Sequence, residues 1–275
     1  MADVAAVAAA QGGGVMPSAI VLALVLIATW ESWRWYCWRI LAAPEDGLAL
    51  IVALVVVSIA GARQNQRGPR GGVPLTRVAG LLVGYAASRG LAPPIVRAGL
   101  AAGLAVFCLH VTLFRRQPPV AVWGLAALAL PVLPSLQFML GYPLRIASAV
   151  LAVLLLKAHG LAVERQGTFL LWHGAMVQFD APCSGVSMLW AGLLFTLMGC
   201  ALLQLGAGRT AAAAVSAIVL AVVGNVLRTT SLFYLEIGLV EQTPTWWHEA
   251  IGLVAFVLST VVMLPLLVAM ARRPA

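Results

Sequence analysis

The stretch that decides the fold is Thr210–Leu235, which reads TAAAAVSAIVLAVVGNVLRTTSLFYL. It is longer than the roughly 20 apolar residues that a helix needs to cross the hydrocarbon core of a bilayer. Asn225 and Arg228 interrupt it with an amide and a charge. We therefore interpret this stretch as a transmembrane helix that carries two polar groups.

The composition of the whole chain agrees with this interpretation. Of the 275 residues, 62% are hydrophobic and 9% are charged, whereas a soluble domain carries about a quarter charged residues. The apolar runs have the length of helices and not of barrel strands. We predict an all-α polytopic membrane protein, with residues 1–275 in a single integral membrane domain. The net charge of +8 reports topology in such a chain and does not indicate a nucleic-acid partner.

Eight apolar runs are candidate spans. They are Pro17–Trp30, Leu48–Ala62, Val78–Ser88, Pro94–Phe114, Val120–Leu140, Gly185–Leu205, Thr210–Leu235 and Ala250–Met270. Basic loops set their orientation, because Lys and Arg collect on the cytoplasmic side. The basic positions are Arg63–Arg77, Arg115-Arg116, Arg209 and Arg272-Arg273. We then expect both termini to be cytoplasmic, and we expect no cleavable signal at the start of the chain. Four segments are expected to face outward: Glu31–Gly47, Gly90–Pro93, Gly160–Ser184 and Glu236–Glu249.

A ninth apolar run, Pro143–Leu156, has both ends on the outer side in this topology. It is shorter than a span requires, so we predict an interfacial helix on the outer face. Two β-prone runs follow, Thr168–Trp172 and Ala175–Phe179, with a His-Gly pair between them. This pattern predicts a small outer-face β-hairpin that leads to Cys183 at the start of the sixth span.

The four cysteines lie far apart and form no CxxC pair, which argues against a metal site and against a disulfide scaffold. Cys108 and Cys200 stand among apolar residues and are expected to be buried. Cys183 lies between a proline and a Ser-Gly pair, where a helix begins, and the helix N-terminus favours a reactive thiolate. Cys183 is a candidate nucleophile, with a disulfide to Cys37 as the alternative. Ser184 is a candidate helix cap.

A charge inside a span, as at Arg228, is costly unless it is paired or reaches the interface, so Arg228 is a functional candidate. Its guanidinium could donate to a developing oxyanion. The alternatives are snorkelling near the outer interface or an ion pair with Glu236 or Glu249. Asn225 lies three residues earlier on the same helix face, where it could donate to the same oxygen or orient Arg228.

His248 follows two tryptophans that are typical of an interfacial aromatic belt, which places it at the outer boundary. An imidazole is a natural acid and base for a thiol, and Glu249 could orient or charge-balance it. The alternative is a histidine hydrogen-bonded to lipid headgroups. Together Cys183, Arg228 and His248 would form an acyl-transfer site. The remaining histidines are weaker candidates: His110, His159 and His173.

The ordered motifs resemble the signature of the exosortase and archaeosortase family. They are Cys183-Ser184-Gly185, Asn225-Val226-Leu227-Arg228 and His248-Glu249-x-x-Gly252, preceded by Pro134-Ser135, Tyr142-Pro143-Leu144 and the strand-like Val163–Gly174. The resemblance covers most of Val120–Met270, so residues 120–270 are the expected catalytic core. It is faint over Met1–Phe114, and residues 1–119 are expected to add the N-terminal spans.

The resemblance implies a cofactor-free and metal-free cysteine transpeptidase of the bacterial inner membrane. Cys183 would form a thioester with the substrate, Arg228 would stabilise the tetrahedral intermediate, and His248 would move protons. The implied partners are the lipid bilayer and an exported protein with a C-terminal transmembrane sorting tail of the PEP-CTERM type, in the setting of exopolysaccharide production. The acyl acceptor is a surface group or water, and water would make the enzyme a protease.

Two departures from the family pattern suggest a divergent subfamily. The acid before the cysteine is Asp180, three residues before it, where the family often has one two residues before. Glu249 stands where the family commonly has aspartate. Asp180 could balance a neighbouring charge or cap the sixth helix. Two other functions stay open at this point: a transporter or polysaccharide-export component that uses Arg228 and His248 to bind substrate, and a non-catalytic assembly protein.

Overall fold

The computed structural model describes residues 18–43, 47–64, 75–114, 117–178, 184–238 and 246–272. The described chain is 81% helical and also contains one small sheet. Its elements fall into two compact units, Met1–Leu130 and Pro131–Ala275.

The first unit is made of helices only in its described residues. They are α1 (Ser18–Ala28), α2 (Trp30–Ala42), α3 (Gly47–Gln64), α4 (Leu75–Ser88), α5 (Pro94–Phe114) and α6 (Val120–Leu128). The first four predicted spans correspond to α1, α3, α4 and α5. Of these, α5 is long and apolar enough to cross a membrane. Its buried side chains form a core with α1 and α4 that includes Val25, Tyr85, Leu104 and Phe107.

The prediction of an outer loop over Glu31–Gly47 is wrong, because α2 occupies most of this segment. Two polar residues of this segment attach α2 to α4. The Ser32 hydroxyl shares a buried hydrogen bond of 2.9 Å with the Tyr85 hydroxyl, and Glu31 pairs with Arg89 at 2.9 Å. Both contacts join the start of α2 to the end of α4.

The described residues of the second unit form four helices and a three-stranded sheet. Its elements are α7 (Leu133–Ala158), β1 (Glu164–Gln166), β2 (Phe169–Trp172), β3 (Ala175–Gln178), α8 (Val186–Leu202), α9 (Ala207–Glu236) and α10 (Trp247–Arg272). By length and composition α7, α9 and α10 could cross a membrane, and α8 is a shorter apolar helix. With α5, the described residues therefore hold 4 candidate spans, against the eight predicted from the sequence.

The predicted fifth span over Val120–Leu140 and the separate interfacial helix over Pro143–Leu156 are both wrong. The chain turns after Leu128, in a short segment that contains Pro131, and then forms one 26-residue helix, α7. Pro143 lies inside this helix. A proline inside a helix removes one backbone hydrogen bond, and in membrane helices packing against neighbours makes this tolerable.

The C-terminal half of α7 runs beside α9 in the same direction. Three contacts advance in step along both helices: Leu144 and Ala221 line one small cavity, Asn225 binds Ser148, and Leu156 and Phe233 share one core cluster. A helix lying across the ends of the spans could not make this series of contacts.

The predicted β-hairpin is confirmed and gains a third strand. β2 and β3 pair antiparallel with Trp172 opposite Ala175. The two residues between them, His173 and Gly174, have φ of 47° and 83°, which is the geometry of a two-residue hairpin turn. β1 pairs with the other edge of β2. Leu170 and Val177 are buried in a core cluster with Phe233 and the C-terminal half of α7, so the sheet lies where α7 and α9 end.

The last three helices alternate in direction and pack closely. α8 and α10 both run antiparallel to α9, as the contacts of their first residues with its C-terminal half require. A Cβ in place of the Gly224 hydrogen would clash with Met188 of α8 and Ser259 of α10. Small residues at a crossing allow membrane helices to approach closely. The sheet, the start of α8, the end of α9 and the start of α10 therefore lie toward one end of the unit.

Candidate functional site

The described part of the first motif begins at Ser184, and Asp180 and Cys183 lie outside the described residues. Ser184 is buried, with 2% of its surface exposed. Its hydroxyl donates to Gln137 Oε1 at 3.0 Å and accepts from the backbone N–H of Val186 at 3.4 Å. The start of α8 is thus attached to α7 on one side.

Gly185 attaches the same point to α9. Its φ of +79° lies in the left-handed region, which glycine adopts without strain. A Cβ at this position would lie 2.7 Å from Asn225 Cγ, so the backbone and the packing both require glycine. α8 thus begins level with residue 225, while α9 continues to residue 236, roughly 16 Å further at 1.5 Å per residue.

Asn225 connects three elements at this level. It is 2% exposed, contacts Gly185 of the first motif, and donates from Nδ2 to the Ser148 hydroxyl at 2.8 Å. Without such a partner, a buried amide would lower the stability of the fold by about 1–3 kcal/mol. One N–H of the Asn225 amide is thus directed to α7.

Arg228 lies one turn further along α9 and packs against the third motif. A Cβ at Gly252 would approach Arg228 Nε to 3.1 Å and Cζ to 3.4 Å. The glycine of the His-x-x-x-Gly spacing therefore leaves room for the guanidinium. Beside Arg228 a cleft of about 270 Å³ opens between α9 and α10. Its lining is otherwise mainly apolar and includes Leu227, Trp247, Ile251, Val254 and Leu258.

His248 contacts an acid that the sequence did not single out as its partner. Its Nε2 lies 3.1 Å from Glu236 Oε1, and both side chains are about half exposed. The sequence suggested Glu249 as its partner, and Glu236 only as a partner of Arg228. Glu249 is exposed and has no ion-pair partner in the described ranges.

α9 collects the described parts of all three motifs. Gly185 contacts it at Asn225, Gly252 at Arg228 and His248 at Glu236. The first two levels are about 4.5 Å apart along the helix and the third is about 12 Å further. The structure therefore brings the three motif segments to one helix end, although they are far apart in the sequence.

Two residues of this arrangement, Gln137 and Ser148, were missed from the sequence, and Glu236 was named only as a partner of Arg228. Gln137 and Ser148 stand in a mainly apolar run and are eleven positions apart, which puts them on one helix face. Polar residues on one face of an apolar helix are a signal of a buried polar contact. Glu236 gives no comparable signal, because it stands at the end of a span where acids are common.

The remaining cysteines and histidines lie elsewhere. Cys108 and Cys200 are fully buried, as expected, and Cys37 is exposed with a free thiol. His110 is buried within α5. The His159 ring shares a hydrogen bond of 2.8 Å with the Tyr234 hydroxyl, next to the sheet. His173 forms the hairpin turn.

The comparisons with known proteins agree with the motif order. The family model described as Transmembrane exosortase (Exosortase_EpsH) matches residues 15–265, which include all three motif segments. Comparison with curated proteins and with solved structures gave no match. The family is known as one of cysteine transpeptidases, and its members act in the membrane on exported proteins. Because the match covers most of the 275 residues, the chain belongs to the transmembrane exosortase family.

Proposed function

We propose that this exosortase is a cysteine transpeptidase that cleaves C-terminal sorting signals of exported proteins. In this proposal Cys183 is the nucleophile, Arg228 stabilises the oxyanion and His248 transfers protons. The observation that carries it is the contact of two motif glycines with α9, Gly185 with Asn225 and Gly252 with Arg228. These contacts bring the segments that hold the three residues to one helix end.

The positions along α9 fit this division of roles. Cys183 is one residue from Ser184 and two from Gly185, which contacts Asn225. Because consecutive Cα atoms are about 3.8 Å apart, the chain keeps Cys183 close to this contact. Arg228 stands about 4.5 Å beyond Asn225 toward the same helix end, and His248 is one turn of α10 beyond Gly252. A carbonyl attacked by Cys183 would then have the guanidinium close to its oxygen.

The reaction would proceed through a thioester. The thiol gives its proton to His248 while its sulfur bonds to the scissile carbonyl carbon, and the resulting oxyanion faces Arg228. The C–N bond then breaks, and His248 gives the proton to the leaving amine. A nucleophilic surface acceptor, or water, next attacks the thioester carbon and gives its proton to His248; the C–S bond breaks, and His248 returns the proton to the sulfur of Cys183. A single oxyanion donor contributes about 10²–10³ in rate.

The cleft between α9 and α10 suits a substrate that is itself anchored in the membrane. Its mostly apolar walls adjoin Arg228, so a transmembrane tail could approach from the bilayer and present the residues before it to the site. This supports a sorting tail of the PEP-CTERM type, with a short Pro-containing motif, a transmembrane helix and a basic cluster. Residues 120–270 would form the catalytic core.

The arginines support an outer-face site in the bacterial inner membrane. Arg209 stands in the first turn of α9 and Arg272 ends α10, opposite the end that holds Glu236 and His248. The positive-inside rule makes the arginine end cytoplasmic. We infer eight spans with both termini cytoplasmic, in which α7 replaces the predicted fifth span. α6, with 9 residues, spans only about 13 Å.

The test is the processing of a reporter protein that ends in a PEP-CTERM tail, co-expressed with the enzyme. Cys183→Ala should abolish processing, and mass spectrometry of the reporter should show a new C-terminus only with the active enzyme. Cys37→Ser, which changes the exposed thiol in the first unit, is the matched control and should process normally. Normal processing by Cys183→Ala would contradict the proposal and favour a transporter or assembly role.

A further inference from the structure

The contact between Glu236 and His248 joins the last residue of α9 to the first turn of α10. Glu236 lies outside the three motif segments, so the family signature gives it no role. The adjacent Glu249 is the acid that the sequence suggests for His248, yet the acid in contact with the ring is Glu236.

We propose that Glu236 is the positioning residue for His248, holding the imidazole through Nε2 so that Nδ1 serves the thiol of Cys183. The inference rests on the proposed function, because Glu236 acts only through His248. A carboxylate accepts hydrogen bonds and does not donate them. Its contact with Nε2 therefore places the hydrogen of the neutral ring on Nε2 and leaves Nδ1 as the basic atom.

The proton balance follows from this assignment. During acylation Nδ1 takes the proton from Cys183 Sγ as the sulfur bonds to the carbonyl carbon. The imidazolium then carries one N–H toward Glu236 and one toward the leaving nitrogen. When the C–N bond breaks, Nδ1 gives its proton to that nitrogen and the thioester remains on Cys183. Glu236 keeps its negative charge throughout and balances the positive ring.

The position of His248 at the start of α10 makes a nearby negative charge favourable for its imidazolium form. His248 lies in the first turn of α10, where the positive end of the helix dipole disfavours a cation. Glu236 ends α9, and its carboxylate adds to the negative end of that dipole. The Glu236 carboxylate and the negative end of the α9 dipole would both stabilise the imidazolium. Both belong to the helix that also carries Arg228.

The expected size of the effect follows from the exposure of the pair. Loss of a buried triad acid lowers kcat by about 10⁴, but solvent weakens pairs that are half exposed. We expect Glu236→Gln to lower kcat for reporter processing by roughly 10- to 100-fold, within the range of general acid–base effects, with KM nearly unchanged. Glu164→Gln, on an exposed position of β1, is the matched control and should process normally.

A coupling experiment separates positioning from a structural effect. In a His248→Gln background, Glu236→Gln should cause no further loss, because residues that act as one unit are not additive. Added formate should partly restore Glu236→Ala, since the space left by a half-exposed side chain is open to a small carboxylate. A structural role predicts an additive loss and no rescue by formate.

A third measurement needs no substrate. In a Cys37→Ser background alkylation reports on Cys183, because Cys108 and Cys200 are fully buried. The alkylation of Cys183 by iodoacetamide at neutral pH should slow several-fold in Glu236→Gln and in His248→Gln, and not in Glu164→Gln. If Cys183→Ala abolishes processing while Glu236→Gln matches wild type, or if Glu249→Gln alone causes the loss, the inference fails and the proposed function stands. If Cys183→Ala processes normally, the proposed function fails and Glu236 has no role to fill.

Discussion

The two compact units bury different kinds of groups. The first unit has an apolar core and an apolar cavity of about 310 Å³ between α1, α2, α3, α5 and α6. Its buried hydrogen bond from Ser32 to Tyr85 joins two helices to each other. The second unit contains a polar set at the start of α8, made of the buried Ser148, Ser184 and Asn225 and the partly buried Gln137.

The difference teaches where the chain keeps its chemistry. Buried polar groups are retained when their hydrogen bonds are satisfied and when they position a neighbouring group. The polar set of the second unit includes Ser184, the residue that follows Cys183. No comparable set joins motif residues in the described part of the first unit. We therefore expect substitutions in the first unit to change stability and those in the second unit to change catalysis as well.

Two partly buried arginines give the largest test of this comparison. Arg228→Ala should lower processing by about 10²–10³, because an oxyanion donor is lost. Arg228→Lys should recover little, since an ammonium does not reproduce the guanidinium geometry. Arg97→Ala, in α5 of the first unit, should leave the processing rate per folded molecule unchanged. Equal losses in both units, measured by reporter cleavage against membrane protein level, would remove the distinction.

The second prediction concerns the backbone at the start of α8. Gly185→Ala should destabilise the protein by about 1–3 kcal/mol from the positive φ alone, and the clash with Asn225 should displace the segment that carries Cys183. Gly192→Ala is the control in the same helix, because nothing lies within 4 Å of an added Cβ there. The midpoint of thermal unfolding in detergent and the rate of reporter cleavage should both fall for Gly185→Ala and not for Gly192→Ala.

A pair of serine substitutions tests whether equal hydrogen bonds have unequal functions. Ser148→Ala and Ser32→Ala each remove one partner from a buried hydrogen bond and should each cost about 1–3 kcal/mol of stability. Ser148→Ala should also lower the cleavage rate per folded molecule several-fold, because Asn225 loses its positioning contact. If Ser32→Ala lowers that rate to the same degree, the comparison between the units is wrong.

The sequence was sufficient where one physical rule dominates. Long apolar runs located α5, α9 and α10 because the bilayer sets their length. A His-Gly pair between β-prone runs located the hairpin because its turn requires two positive φ values. The order of the motifs led to the exosortase family, which the family model confirms.

The sequence was not sufficient where tertiary contacts decide. Pro143 suggested the start of a helix, whereas packing against α9 carries α7 through it. Glu236 could not be assigned to His248, because no spacing rule relates the end of one helix to the start of the next. The position of Glu31–Gly47 between two predicted spans suggested a connecting loop, whereas the helix α2 occupies most of it.

The last of these errors leads to the smallest predicted effect. Glu31 and Arg89 form an ion pair in which both side chains are about half exposed, and such pairs contribute about 0–1 kcal/mol. Glu31→Gln should therefore lower the unfolding midpoint only slightly, and less at high salt, where the pair is already screened. Reporter cleavage should not change. Because Glu236 and His248 are equally exposed, the same substitution at Glu236 has a similarly small effect on stability. A large loss of cleavage there, beside none at Glu31, would show that exposure alone does not set the functional weight of an ion pair.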